Sequence, residues 1–339
     1  MTYPISGSGP LFMQPDTEAA REFFRSKNKA LTSKLMSVRE AVERFVHDGD
    51  YLGSGGFGTN RISTAALHEI LRQRKRHLRF AGHTATHDFQ ILAAGNLGGG
   101  KLLRQVDIAY VIGLEARGLS PHSRRVLESG EVEVCEWTNY ALAVRLRAAA
   151  MGVPFLPSHT MLGTDTFRMS AAKEIECPFT GRKLVALPAL YPDVSVIHVH
   201  QADCFGNCRI NGITIADLEL ARASKRVIIT TERLIATDEI RSAPHATAIP
   251  AICVDAVCEV PCGSYPGNMP GEYFSDEEHL RQWLEVEKDQ AAFRAFLEKY
   301  IYDVPDFEGY LHLCGGAKRI AQLRDLELLM PGRENDAQL

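Results

Sequence analysis

The sequence predicts an α/β protein: an open, mostly parallel sheet with helices on both faces, closed by a helical C-terminal cap. Three observations carry this reading. Short apolar runs alternate with amphipathic helical stretches from residue 38 to residue 231. The first run leads into a glycine-rich stretch, Asp50-Tyr51-Leu52-Gly53-Ser54-Gly55-Gly56-Phe57-Gly58-Thr59-Asn60-Arg61, which precedes a helix. From residue 275 onward the chain reads as charged helix.

Taken in order, residues 16–30 carry a weak apolar stripe (Ala19, Phe23, Phe24) and read as a surface helix outside the main core. Ser37-Val38-Arg39-Glu40 is a capping box that opens a helix over 38–47, and Asp48-Gly49-Asp50 turns the chain into a strand over 51–54. In the glycine loop that follows, several backbone N–H groups are expected to converge beside a helix N-terminus and face a negatively charged ligand. The next helix, 63–76, sets Ala66, Leu67, Ile70 and Leu71 on one face and ends in Arg72-Gln73-Arg74-Lys75-Arg76-His77. That basic end suits the helix dipole, and it also suits phosphates. Strands at 78–81, 106–112, 132–135 and 154–157 alternate with helices at 88–94, 120–129 and 139–151. Periodicity lapses over 158–183, which reads as a functional loop. Strands resume at 184–187, 194–201 and 226–231, with a helix at 216–223 and an apolar run at 252–260. Helical stretches at 275–302 and 307–328 follow a Gly/Pro-rich segment, 261–271.

No repeat or low-complexity linker divides the chain. One domain over 34–330, an N-terminal extension over 1–33 and a tail over 331–339 are therefore expected. A chain of 339 residues that is 45% hydrophobic can bury a large core. A net charge of −4 gives no general attraction to nucleic acid or anionic membrane. No apolar run approaches a membrane span, and Met1-Thr2-Tyr3-Pro4 lacks the basic start and apolar core of a secretory leader. The expectation is a cytoplasmic protein acting on small molecules. The eight cysteines include two C-x3-C pairs, neither with a histidine at zinc-finger spacing, so reduced thiols and no metal are expected.

Three constellations are candidates for chemistry. Gly53, Gly55 and Gly58 satisfy G-x-G-x-x-G, but the next strand ends Phe80-Ala81-Gly82-His83, without the acid that a nicotinamide dinucleotide's ribose requires. A nicotinamide-dependent oxidoreductase is thus a weak alternative. His198 and His200 lie on one face of a strand, as metal ligands or as half-buried strand residues. The turn Ala202-Asp203-Cys204-Phe205-Gly206-Asn207-Cys208 follows that strand, at the end of an α/β sheet where ligands bind.

Asp48-Gly49-Asp50 leading to Gly55-Gly56-Phe57 resembles the A-type signature of the family I coenzyme A transferases. Lys34-Leu35-Met36-Ser37, the stretch from Ala148 to Pro157, the turn from Asp203 to Asn207, and Cys253-Val254-Asp255-Ala256-Val257 agree in order and spacing. The glutaconate branch is the most similar, over residues 34–330. The resemblance implies a CoA-transferase subunit with CoA as substrate, no permanently bound cofactor, and a hetero-oligomer formed with a partner B subunit. It also implies a glutamate nucleophile on that partner, in a Ser-Glu-Asn-Gly-like motif absent here. On this reading Ser54, Gly55, Gly56, Phe57, Gly58, Asn60, Arg61 and Asn139 bind substrate, and backbone donors of the loop stabilise an oxyanion.

Two departures bear on chemistry. Where the broader family has Gly-x-Pro after Gly-Gly-Phe, this chain has Arg61-Ile62-Ser63. Arg61 is therefore either a partner for a substrate's distal carboxylate or half of a structural salt bridge. A hydrolase branch of the family uses an A-type glutamate near the position of Asn139; here Glu136 lies one turn away. Glu136, and Glu115 in Gly113-Leu114-Glu115-Ala116-Arg117-Gly118, keep a CoA-thioester hydrolase as the alternative activity.

Overall fold

Strand burial sets the architecture. In the computed structural model, which describes residues 6–111 and 118–329, Val194 and Val196 of one strand enter one core while Ile197 and Val199 enter another. The strands are β1 (Tyr51–Ser54), β2 (Leu78–Gly82), β3 (Leu103–Ile108), β4 (Glu133–Glu136), β5 (Phe155–Ser158), β6 (Lys173–Glu176), β7 (Lys183–Pro188), β8 (Val194–Ala202), β9 (Cys208–Arg209), β10 (Arg226–Leu234) and β11 (Ala256–Glu259). The helices are α1 (Thr17–Ser26), α2 (Val38–Phe45), α3 (Thr64–Arg72), α4 (His87–Ala94), α5 (Pro121–Glu128), α6 (Asn139–Met151), α7 (Asp165–Met169), α8 (Asp217–Ala223), α9 (Thr237–Ser242), α10 (Glu277–Val286), α11 (Gln290–Leu297), α12 (Phe307–Leu313) and α13 (Gly316–Glu327).

The main sheet runs β11-β10-β8-β1-β2-β3-β4 with every neighbouring pair parallel; β9 adds antiparallel to β8. Helices α2 to α5 and the cap α10 to α13 bury one face, and α6 and α8 bury the other. The expected open α/β sheet with a helical cap is what forms. After β1 the chain builds outward through β2, β3 and β4, then returns to place β8 on the other side of β1. This reversal of strand order opens a crevice at the carboxyl ends of β1 and β8, the position where open α/β sheets bind ligands.

The strands near 155 and 184 do not extend the parallel sheet. They pair antiparallel with each other, and β6 joins them in a separate three-stranded sheet, β5-β7-β6. The reason is visible in β7, where buried Val185 and Leu187 alternate with less buried neighbours. That is the pattern of a sheet with one solvated face, whereas β8 is buried almost throughout. The stretch 158–183 thus holds α7 and β6 rather than an irregular loop. Residues 6–33 also differ from expectation, because they pack into the body. Gly7 N donates to Ala172 O and Gly9 N to Ser170 O, and Phe12 and Ala20 are buried with α6 and the small sheet.

Candidate functional site

The glycine loop leaves β1 at the sheet crevice, but its amides are turned inward. Gly55 N donates to Val196 O (2.9 Å), Gly56 N to Asp217 Oδ1 (2.8 Å), and Gly58 N to Thr84 O (3.0 Å). Phe57 and Asn60 exchange N–H···O bonds at 3.1 and 2.8 Å, and Arg61 N donates to Asn268 O (3.0 Å). The expected row of backbone donors facing a ligand is therefore absent at these residues. The loop is a braced turn in which these six amides are already satisfied.

The glycines have distinct causes. A Cβ on Gly53 would lie 2.6 Å from Leu220 Cδ1, and one on Gly55 would lie 2.8 Å from Asp217 Oδ1, so both permit α8 to pack against the strand end. Gly56 adopts φ +75°, and a Cβ there would meet Asn60 O at 2.4 Å. Gly58, at φ +63°, has nothing within 4 Å of its Cβ position. Its backbone is buried, so the space lies beside its Cα rather than at the loop's surface.

The N-terminus of α3 is covered as well. Ala65 N donates to Gly263 O (3.1 Å), and Thr64 Oγ1 donates to Ser264 O (3.1 Å). A pyrophosphate would need that helix end. Together with the missing acid after β2, this removes the nicotinamide reading.

Arg61, with φ +56° and 0% exposure, points inward. Its Nη1 and Nη2 donate to the two oxygens of Asp217 at 3.2 and 2.8 Å, and Nη2 also reaches Ile213 O at 2.8 Å. Of the two roles open to Arg61, the geometry displays the salt bridge. Asp217 opens α8, so one carboxylate ties together the glycine loop, Arg61 and the segment before that helix.

Ser54 is buried at the base of the loop, and Phe57 and Asn60 are half-buried at its rim. Asp88, beneath Ser54, accepts from Thr86 N and Phe89 N at 2.8 Å, and burial pushes its carboxyl up to about 6. Asn139, at the start of α6, donates through Nδ2 to Thr84 Oγ1 (3.2 Å), which brings it to the segment bonded to Gly58. Its Oδ1 is buried with no partner among the described residues. Glu136 ends β4, three strands from β1, so about 14 Å separates the two strand axes. Glu115 lies outside the described residues.

The other constellations are structural. His198 bonds Thr230 Oγ1 and Glu232 Oε1, both at 2.8 Å, while His200 bonds Pro270 O and receives Asn211 N. No cluster suited to a metal occurs among the described residues. Asp203 Oδ1 accepts from Phe205 N and Asn207 N, closing the turn after β8. Of the basic run at the end of α3, Arg74 reaches the cap, its guanidinium 3.7 Å from the centre of the Tyr302 ring, while Arg76 and His77 are exposed. All eight cysteines are free thiols. Among the described residues no helix is long and apolar enough to cross a membrane.

Sequence reasoning missed Asp217 and His83. His83 follows β2 beside the loop and shares a small cavity with Ser54, Gly55, Gly56 and Asp217. A histidine directly after a strand, level with the glycine loop, was the available signal for it; Asp217 carried none, since its partner is 156 positions away.

The chain matches the coenzyme A transferase family model over residues 35–260. It is 33% identical over 305 residues to the A-type subunit of glutaconate CoA-transferase from Acidaminococcus fermentans, an alignment covering 85% of this chain and 94% of that protein. It is 35% identical over 282 residues to the A-type subunit of 3-oxoadipate CoA-transferase from Pseudomonas knackmussii, covering 82% of this chain and 97% of that protein. The crystal structure of glutaconate coenzyme A-transferase from Acidaminococcus fermentans superposes with a TM-score of 0.81 at 32% identity, covering 86% of this chain and 95% of that one. With its strand order, capped sheet and Gly-Gly-Phe turn at the crevice, this chain belongs to the coenzyme A transferase family, as a CoA-transferase subunit of the A type.

Proposed function

We propose that this chain is one half of a cytoplasmic hetero-oligomer in which a B subunit supplies the nucleophilic glutamate, and that the pair moves CoA from the acyl-CoA of a dicarboxylic acid to a free carboxylic acid. The observation that carries this reading is the condition of the carboxylates at the glycine loop. Asp217 is bound by Arg61 and by Gly56 N, and Asp88 is buried as a helix-cap acceptor. Neither is free to attack a thioester, while the partly exposed rim of the loop, at Phe57 and Asn60, is suited to receive a residue from a second chain. The similarity to subunits that act on glutaconate and 3-oxoadipate, both dicarboxylates, supports the substrate class.

In the transfer, the partner's carboxylate attacks the thioester carbon, the C–S bond breaks, and CoA thiolate leaves a mixed anhydride. The thiolate attacks the glutamyl carbonyl, releasing the first acid and forming a glutamyl thioester, and an acceptor carboxylate reverses both steps. No permanently bound cofactor takes part. Asn139 fits this scheme as a binding residue: its orphaned Oδ1 suits an amide N–H such as those of the pantetheine arm. Arg61 serves by holding the loop rather than the substrate.

The test is exchange between glutaryl-CoA and acetate by this chain purified with its B-type partner, followed by chromatography of both thioesters. Appearance of acetyl-CoA supports the proposal. Release of free CoA without an acceptor, abolished by Glu136→Gln, would establish the hydrolase instead.

A further inference from the structure

We propose that His83 donates a hydrogen bond from Nε2–H to the acyl oxygen as it becomes an oxyanion, replacing the backbone donors that the loop does not present. This rests on the transferase reading and names the group of this chain that acts in it. Tetrahedral intermediates in acyl transfer require donors aimed at the developing charge. The amides of Gly55, Gly56, Phe57, Gly58, Asn60 and Arg61 all have internal acceptors, so a donor from this chain comes from Thr59 N or from a side chain beside the loop.

His83 is the residue placed for this. Ser54 and Gly82 are register partners across β1 and β2, so His83 stands level with Gly55 at the strand ends. Its ring is half-buried, beside a water-sized void walled by Gly55 and Gly56 and by Leu142, Leu146 and Leu220. The ring's orientation is set by Thr84, whose Oγ1 lies 2.9 Å from His83 Nδ1. The same oxygen accepts Asn139 Nδ2 at 3.2 Å. In the proposed arrangement, Thr84 Oγ1 accepts from Asn139 and gives its single proton to Nδ1. The neutral ring then carries its hydrogen on Nε2, the edge that Thr84 leaves free. Burial lowers the basicity of His83, more than Asp217 raises it, which keeps the ring neutral and a donor at working pH. Thr84 O also accepts Gly58 N at 3.0 Å, so the histidine and the loop are held by one segment.

The experiment compares the unsubstituted complex with complexes carrying His83→Ala and His83→Gln in the glutaryl-CoA:acetate exchange assay. His83→Ala is expected to lower kcat about 100-fold or more while changing KM for glutaryl-CoA less than about threefold. His83→Gln retains an amide N–H near the same place and is expected to recover at least about tenfold of that loss. Native mass spectrometry establishes that each complex is assembled; should His83→Ala not assemble, the kcat of the glutamine variant against that of an assembled His83→Leu decides. A kcat within about threefold of normal for His83→Ala, or equal impairment of both variants in intact complexes, overturns the inference while leaving the transferase reading standing. No exchange by the unsubstituted pair overturns both.

Discussion

Arg61 and Asp217 meet through two hydrogen bonds, at 2.8 and 3.2 Å, with neither side chain exposed to solvent. Removing one member strands the other's charge in the interior, which typically costs about 3–5 kcal/mol. Asp217→Ala should therefore lower the unfolding free energy by about that amount in urea titrations. The double variant Arg61→Met/Asp217→Leu should be more stable than Asp217→Ala, because it leaves no unpaired charge. If the double variant is the less stable of the two, the pair is not what holds the loop.

Two glycines of one loop should respond differently to the same substitution. Gly58→Ala meets open space and bears only the left-handed backbone, about 1–2 kcal/mol. Gly56→Ala bears that and a collision with Asn60 O, adding about 1–3 kcal/mol of overpacking. Chemical denaturation should rank them in that order, and CoA exchange should be lost at Gly56→Ala first.

Glu287, just past α10, joins the cap to α5. It accepts Ser120 Oγ at 2.6 Å and Trp283 Nε1 at 2.7 Å, and burial pushes its carboxyl up to about 7. An acid with a raised folded-state value binds its proton more tightly folded than unfolded. Its contribution is complete below the unfolded value near 4.5 and is lost as pH rises toward 7. Buried His279, pushed down to about 4, works in the opposite sense below pH 6.5, so the whole protein conceals the effect. Subtracting a Glu287→Gln variant exposes it. The difference in unfolding free energy, natural minus variant, should fall by about 2–3 kcal/mol between pH 4.5 and 7.5. A flat difference would show that the carboxyl titrates normally.

Thiol reactivity should follow environment. Hydrogen bonds from Thr180 and Phe179 lower the Cys177 thiol, whereas burial pushes Cys135, Cys258 and Cys262 up to about 12. Limited alkylation of the native chain with iodoacetamide, read by peptide mass spectrometry, should label Cys177 first. The other three should be labelled only on unfolding.

Much of the parallel sheet was legible because its central strands are buried on both faces and separated by helices, of which α2, α5 and α6 carry side-chain caps; α6 over 139–151 was read to the residue. The small antiparallel sheet was not. Runs of four to six apolar-rich residues such as β5 and β7 look alike in either sheet, and which strand they pair with depends on where α6 delivers the chain. The extension was misread for a related reason: Phe12 is a lone aromatic in sequence, and the surface that buries it comes from residues far along the chain.

The chain's own order of residues determined the fold class, the location of the Gly-Gly-Phe turn after the first strand, and membership of the family, since these rest on local periodicity and contiguous motifs. Tertiary structure alone decided what the turn presents. Whether an amide faces a ligand or an internal acceptor depends on Asp217, Thr84, Val196 and Asn268, which no spacing rule connects to residues 55–61. Hydrogen bonds reach only about 3 Å, so the direction of each donor is settled by which distant segment packing brings within that range.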